Sequence, residues 1–328
     1  MKETEIRQVE YGRWPNCYRL GNDVWELIVT TDVGPRVIRC GFVGADNEFK
    51  EYPDQLGQTG GGDWRIYGGH RLWQAPEHES RTYFPDNSPV KVEVHDRAVR
   101  FVQEIESTTG IQKEIELAIV PEAAHATVTH RLRNAGPSPV TLAPWALTVM
   151  ASGGTAILPL PTRGSHPKDL LPGGLLTLWK YTDMSDPRWT WGRKYILLRQ
   201  DSSPAVTPQK IGAAVADGWA AYARAGRLFL KTFRHDPAAT YPDRGCSVEV
   251  FTNKDMLELE TLGPLATLSP GETVEHVEHW WLFGDVPIPR SDADIDAHIF
   301  PLVQVERPKA AQGNPPLETG QSLQGALR

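Results

Sequence analysis

The chain has 328 residues and a formal net charge of −7, with 40% hydrophobic and 23% charged residues. That is enough apolar side chain for a large core, which excludes bulk disorder. The acidic balance argues against nucleic-acid binding as the main task, since that needs clustered Lys and Arg. Three cysteines, Cys17, Cys40 and Cys246, are too few and too scattered for a disulfide framework or a CxxC metal site, and read as buried thiols.

The N-terminal MKETEIRQVEYGR has charges every few residues and no apolar run, so no secretory signal is read and a cytoplasmic protein is expected. Beyond it, short runs alternate apolar and polar residues with the two-residue period of half-buried strands. Examples are VKVEVHD with AVRFVQEIE (90–106), KEIELAIV (113–120) and ATVTHRLRN (126–134). Residues 141–161 are apolar but broken by Pro144, Gly153, Gly154, Pro159 and Pro161. They fall short of the ~20 uninterrupted residues of a membrane span, and no membrane partner is expected. Residues 159–175 read as a long surface loop, and CSVEVFTN (246–253) as a further strand. SDADIDAHIFPLV (291–303) is the clearest helical pattern, with Ser291 as N-cap and Ile295, Ile299 and Leu302 on one face. The 29 glycines and 27 prolines, roughly one residue in six, punctuate these runs. The pattern predicts an all-β chain of antiparallel sheets, with one domain over residues 1–305 and a loose tail over 306–328.

No GxSxG elbow, P-loop, GxGxxG after a strand or HExxH occurs. EHVEH (275–279) has metal-ligating residue types. On a strand, however, His276 and Glu278 face one way and Glu275 and His279 the other, which reads as a solvated or core-edge strand. Among 11 tryptophans, Trp64, Trp73, Trp189 and Trp191 lie in the Gly/Pro-rich stretches GDWRIYGGHRLWQAPE (62–77) and YTDMSDPRWTWGRK (181–194). A sugar presents flat CH faces rimmed by hydroxyls, and is held by an aromatic plate beside charged hydrogen-bonding groups. Each indole alone reads as a plug for the end of a sandwich, and the two stretches together as a ligand pocket. Arg188, Arg193 and Lys194 accompany Trp189 and Trp191 and would meet an acidic substituent, whereas Arg163, His166 and Lys168 read as solvent-exposed. MLELETLGP (256–264) places Glu258 and Glu260 on one strand face, where one carboxylate in a cleft would serve as general base. HDPAATYPDRGCSVEVFTN (235–253) brings His235, Asp236, Asp243 and Glu249 towards the same neighbourhood.

These segments resemble the galactose-mutarotase-like proteins. WELIVTTDVGPRVIRCGFVGADNEF (25–49) resembles that superfamily's first strands, with a Gly-centred turn and a Gly–x–x–Asn after the second. LRNAGPSPVTLAPWALTVM (132–150) is similar to its central segment. LELETLGPLATLSPGETVEHVEHWWLF (257–283) resembles its ending, where a strand carries the catalytic Glu and a Pro–Gly–Glu turn precedes the closing strand. The resemblance covers about residues 20–285. It implies a large antiparallel β-supersandwich that binds a small carbohydrate in an open cleft, without cofactor or metal.

Position by position, the resemblance makes Glu260 the base that takes the proton of the anomeric hydroxyl while a histidine donates one to the ring oxygen. The ring opens, the aldehyde turns, and reclosure gives the other anomer. His70 falls where the family often has a substrate-contacting His or Arg, with Arg71 beside it. The segment matching the family's acid His has Trp145 at that place, and indole can only stack or donate one N–H. Either another group is the acid, with His70 or His235 as candidates, or the reaction is not standard mutarotation. The expected site is thus Glu260 and His70 as catalytic residues, with Arg71, Trp73, Glu77, Trp145, Trp189, Arg193, His235, Asp243 and Glu249 binding substrate. A non-catalytic carbohydrate-binding protein and a lyase or hydrolase on the same fold stay open as alternatives.

Overall fold

The computed structural model describes residues 4–95 and 97–311. Its strands form two antiparallel sheets, one of 11 and one of 10 strands. In spatial order the first sheet runs Glu5–Tyr11, Trp14–Gly21, Trp25–Thr30, Arg36–Phe42, Gly69–Ala75, Val140–Met150, Leu257–Leu262, Val248–Thr252, Gln209–Ala213 and Leu176–Leu178. Ala266–Leu268 pairs with Val140–Met150 beside that path. The second sheet runs Trp189–Trp191, Tyr195–Arg199, Thr155–Pro159, Trp219–Arg224, Arg227–Phe233, Thr273–Phe283, His125–Asn134, Ile111–Ile119, Ala98–Val102 and Lys91–Val94. The alternating runs read from the sequence all hold strands, and Lys91–Val94 pairs antiparallel with Ala98–Val102.

Alternation along each strand decides which layer a side chain enters. Leu257 and Leu259 point between the sheets, into a core shared with Val128, Trp280 and Leu282 of the second sheet. Glu258, Glu260 and Leu262 therefore point to the outer face of the first sheet, where Leu262 joins an aromatic cluster of Trp73, Trp145, Trp64 and Tyr83. The outer face of the second sheet is covered differently. Ile295 of the helix Asp292–His298, Val303 of the helix Phe300–Ala311 and Ile299 between them pack there on Ile157, Trp219, Leu230 and Trp281. All three cysteines are buried, as expected.

Ser291 caps the first of these helices by accepting the Asp294 N–H at 3.3 Å. The pattern read as one helix is two, meeting at Ile299, with Pro301 in the first turn of the second, where its missing N–H costs no hydrogen bond. That second helix continues to Ala311, so 306–311 is helical where composition predicts a loose tail; the rest of the expected tail, 312–328, lies outside the described residues. Among the described residues no helix is long and apolar enough to cross a membrane.

Candidate functional site

Two glycines start the strand that carries the first site residues. Gly68 and Gly69 both have positive φ, 99° and 68°. A Cβ on Gly68 would lie 1.9 Å from the Lys50 carbonyl oxygen, so only glycine fits. From there Gly69–Ala75 sends Arg71 and Trp73 outwards and His70 and Leu72 inwards. Its register continues across the sheet: Arg71 opposes Leu147, Leu147 opposes Glu260, Glu260 opposes Glu249, and Glu249 opposes Gly212. Arg71, Glu260 and Glu249 thus share one row of the outer face. Gly212 makes room for the last of them, since a Cβ there would lie 2.5 Å from Cys246 Sγ and 3.2 Å from Glu249 Cγ.

The chemistry gathers around a lysine. Lys210 Nζ lies 2.8 Å from Glu249 Oε2 and 3.2 Å from Glu260 Oε2, with all three residues buried. The ammonium also sits over two indoles, 4.9 Å from the ring centre of Trp145 and 4.8 Å from that of Trp179. Burial opposes its charge, but Glu260 and Glu249 outweigh burial and hold the ammonium well above the usual lysine range. Burial pushes Glu249 well above the carboxylate range; Lys210 pulls against this, while Glu260 and Asp243 add to it. Trp145 Nε1 donates to Glu260 Oε2 at 2.7 Å. Glu260 Oε1 and Glu249 Oε1 are left buried without a hydrogen-bond partner.

Glu258 stands two residues from Glu260 on the same face and is half-buried. Burial, then the charge of Glu260, pushes its carboxyl up to about 8, against the pull of Lys210 and Arg71. It is therefore largely protonated at neutral pH. The rim beyond it is aromatic. Trp73 meets Trp145 at 5.1 Å and Tyr83 at 5.3 Å, Tyr83 meets Trp64 at 5.3 Å, and the Tyr83 hydroxyl donates to Glu77.

Of the residues read from the sequence, Glu260, Glu249, Arg71, Trp73 and Trp145 come together on this face. Glu77 stands at its rim, and Asp243 lies near enough to Glu249 to raise it. His70 does not join them. It occupies the opposite face of its strand, fully buried between the sheets. There its Nδ1 meets Thr148 Oγ1 and its Nε2 meets His130 Nε2, both at 2.7 Å. The expected pairing of His70 with Glu260 is corrected by strand parity: residue 70 opposes Thr148, and residue 71 is the one in the Glu260 row. His235 stacks on Tyr241, 4.8 Å between ring centres, in the stretch after the strand Arg227–Phe233. Trp189 is part of the central core. Arg193 is exposed beside the helix Asp292–His298, where its backbone N–H donates to Asp292. Arg188 is buried against Asp186 at 2.8 Å. The stretch 181–194 therefore does not deliver Trp189, Arg188 or Arg193 to the Glu260 row. Lys210 and Glu258 are the members that sequence reasoning missed or passed over. The available signal for Lys210 was a lysine inside the strand-like run QKIGAAVA.

EHVEH also differs from its reading. The parity is right, but His276 and Glu278 face neither solvent nor a core edge: they enter the interior between the sheets. Glu278 Oε1 accepts from Lys231 at 2.8 Å and from Thr261 at 2.5 Å, and Oε2 accepts from Trp280 Nε1 at 2.7 Å. Thr261 Oγ1 in turn meets His276 Nε2 at 2.7 Å. His70, His130 and Glu278 present ligand-type atoms within 4.8 Å of one another. However, the 2.7 Å between the two imidazole nitrogens is a hydrogen bond. Two ligands of one ion at 2.0–2.1 Å bonds and a tetrahedral angle would stand about 3.3 Å apart. Both Glu278 oxygens are also in use, so the donor set does not fit a metal.

These features define a class by fold. The chain has the galactose mutarotase-like β-sandwich fold, with an acid–base cluster on the outer face of one sheet. A candidate aldose 1-epimerase from Klebsiella pneumoniae subsp. pneumoniae MGH 78578 superposes with a TM-score of 0.58 at 11% identity, over 95% of this chain and 88% of that one. The Slr1438 protein from Synechocystis sp. PCC 6803 gives a TM-score of 0.54 at 12% identity, over 87% of this chain and 100% of that one. A galactose mutarotase-like protein from Lactobacillus casei ATCC 334 gives 0.52 at 10%, over 82% and 100%. Identities this low establish the fold and leave the reaction to the site. No protein-family model and no curated protein matches the sequence.

Proposed function

We propose that the protein is a carbohydrate-active enzyme of the epimerase or mutarotase kind, with its site on the outer face of the first sheet. Glu260 is the base. The observation that carries this reading is its carboxylate geometry: Oε2 is fixed by Trp145 Nε1 at 2.7 Å and Lys210 at 3.2 Å, while Oε1 has no partner and is free to accept a proton. Glu258 takes the place of the family's acid histidine, because a carboxyl that is protonated near neutrality can donate to a ring oxygen. In this scheme Glu260 removes the anomeric O–H proton as the C1–ring-oxygen bond breaks and Glu258 protonates the released oxygen. Rotation about C1–C2 and the reverse transfers close the other anomer, returning both protons. Trp73, Trp64 and Tyr83 supply the apolar plate for the sugar's CH face.

Glu260→Gln keeps the shape and removes the base. Anomer exchange, followed by polarimetry or by exchange spectroscopy over a panel of aldoses and uronates, should fall by about 10²–10⁴-fold in the folded variant. Full exchange in this variant contradicts the role of Glu260. A second reading, a binding protein without turnover, is favoured by one observation: Lys210 ties both Glu249 and Glu260. Saturable sugar binding by calorimetry, with no exchange in the wild type, selects it.

A further inference from the structure

The outer face holds a buried charge without a matching partner. Arg71 is 2% exposed, its guanidinium flanked by the rings of Trp64 at 5.0 Å and Trp73 at 5.3 Å. Of its five N–H donors, those on Nη2 are directed at the carbonyls of Arg65 and Ile66. Nε and Nη1, which hold the other three, have no acceptor. A buried donor left unmade is costly, and a buried cation without a counter-charge more so.

Carboxylates nearby do not close the account. Asp86 is paired with Arg36, a second buried guanidinium that also donates to the Ile66 carbonyl. Two guanidinium groups therefore share one carboxylate. Glu258 is the other acid whose field reaches Arg71, and it is the carboxyl that stays protonated around neutral pH. Burial and then the charge of Arg36 lower the Arg71 guanidinium to about 9, so it remains a cation at neutral pH. The net result is one uncompensated positive charge, with unmade donors on Nε and Nη1, in the same row as Glu260.

We propose that Arg71 receives an anionic substituent of the sugar, so that the substrate is an acidic saccharide, a uronate or a sugar phosphate, rather than a neutral aldose. This rests on the reading of the Glu260 face as a carbohydrate site. The unmade Nε and Nη1 hydrogens can give charge-assisted bonds to carboxylate and phosphate oxygens alike, and the flanking indoles restrict approach to the guanidinium edge.

The test is calorimetric titration of the full chain with four probes: glucose, galactose, glucuronate and glucose 6-phosphate. Charge-assisted hydrogen bonds predict that an acidic sugar binds about 10–100-fold tighter than the neutral ones. Arg71→Met should remove that preference, and Arg71→Lys should keep part of it. The uronate and phosphate arms tell which anion is meant. Should Arg71→Met fail to fold, the wild-type comparison decides alone. Equal affinity for neutral and acidic sugars overturns the proposal and leaves the carbohydrate site standing. Absence of binding by all four sugars overturns both.

Discussion

The strand Leu257–Leu262 separates two polar regions that obey opposite rules. On its inner side, Thr261 joins a chain of buried groups, from Lys231 and Glu278 through His276, and His130 with His70 beside them, in which each contact has a complement. His130 Nδ1 meets the His276 carbonyl at 3.0 Å, so it must donate there. Its Nε2 then accepts from His70 Nε2–H, and His70 Nδ1 accepts from the Thr148 hydroxyl. On the outer side, Glu260 Oε1, Glu249 Oε1 and two nitrogens of Arg71 are equally buried and lack complements. Interiors satisfy their polar groups, so the inner region is a structural network, and the outer one carries the unmade groups on which the proposed carbohydrate site rests.

The largest expected difference between the regions is their response to acid. Burial, and then Lys231, holds His70 well below the usual imidazole range; burial holds His130 at about 4 and His276 at about 3. Each of these folded values lies below the unfolded value of about 6.5. At these three sites the unfolded chain therefore binds more protons, and their contribution to stability falls as pH drops from about 6.5 towards 4. The loss is on the order of 3 kcal/mol each for His130 and His276 by pH 4. Burial works against Glu278, but Lys231 together with His130 and His276 outweighs it and lowers the carboxyl to about 2, so its contribution is lost in the same direction at still lower pH. On the outer face the raised Glu258 and Glu249 carboxyls titrate in the opposite sense, so the clean measurement uses the Glu249→Gln/Glu258→Gln variant, whose denaturant midpoints should decline steeply from pH 7 to 4. A flat profile would mean that the inner network does not exist as described.

Next in size is Lys231→Met, which strands the Glu278 carboxylate between the sheets. Removing one partner of a buried pair costs about 3–5 kcal/mol, read as a lower urea midpoint with unchanged m-value. Smaller still is Trp145→Phe. It deletes the N–H that holds Glu260 Oε2 but keeps the aromatic plate, and should slow anomer exchange by about 10–100-fold with the fold intact. Unaltered exchange would show that Trp145 is packing rather than a positioner of the base.

Strand period made the sandwich legible from the sequence, because runs such as ATVTHRLRN and CSVEVFTN assign their own faces once they are strands. The same period identified Glu258 and Glu260 as facing together. What the sequence could not give was register between distant strands. Whether residue 70 or residue 71 enters the Glu260 row depends on a one-residue step in pairing with Val140–Met150, and that step moves His70 into the interior. Lys210 was hidden for a related reason: its partners, Glu249 and Glu260, lie on strands far along the chain, and nothing local marks a lysine for burial. Pairing energies between Trp189, Arg188 and Asp186 are local, yet their sequence looks the same whether that loop faces a ligand or fills the sandwich.

The most direct test follows the two indole N–H groups that report the two regions, Trp145 Nε1 on Glu260 and Trp280 Nε1 on Glu278. Their ¹⁵N–¹H resonances, assigned with single Trp→Phe variants, can be followed during titration with glucuronate, glucose 6-phosphate and neutral aldoses. Saturable movement of the Trp145 signal while that of Trp280 stays in place is the outcome expected here. A still Trp145 signal across all the sugars, or a shift at Trp280 alone, would contradict the placement of the site.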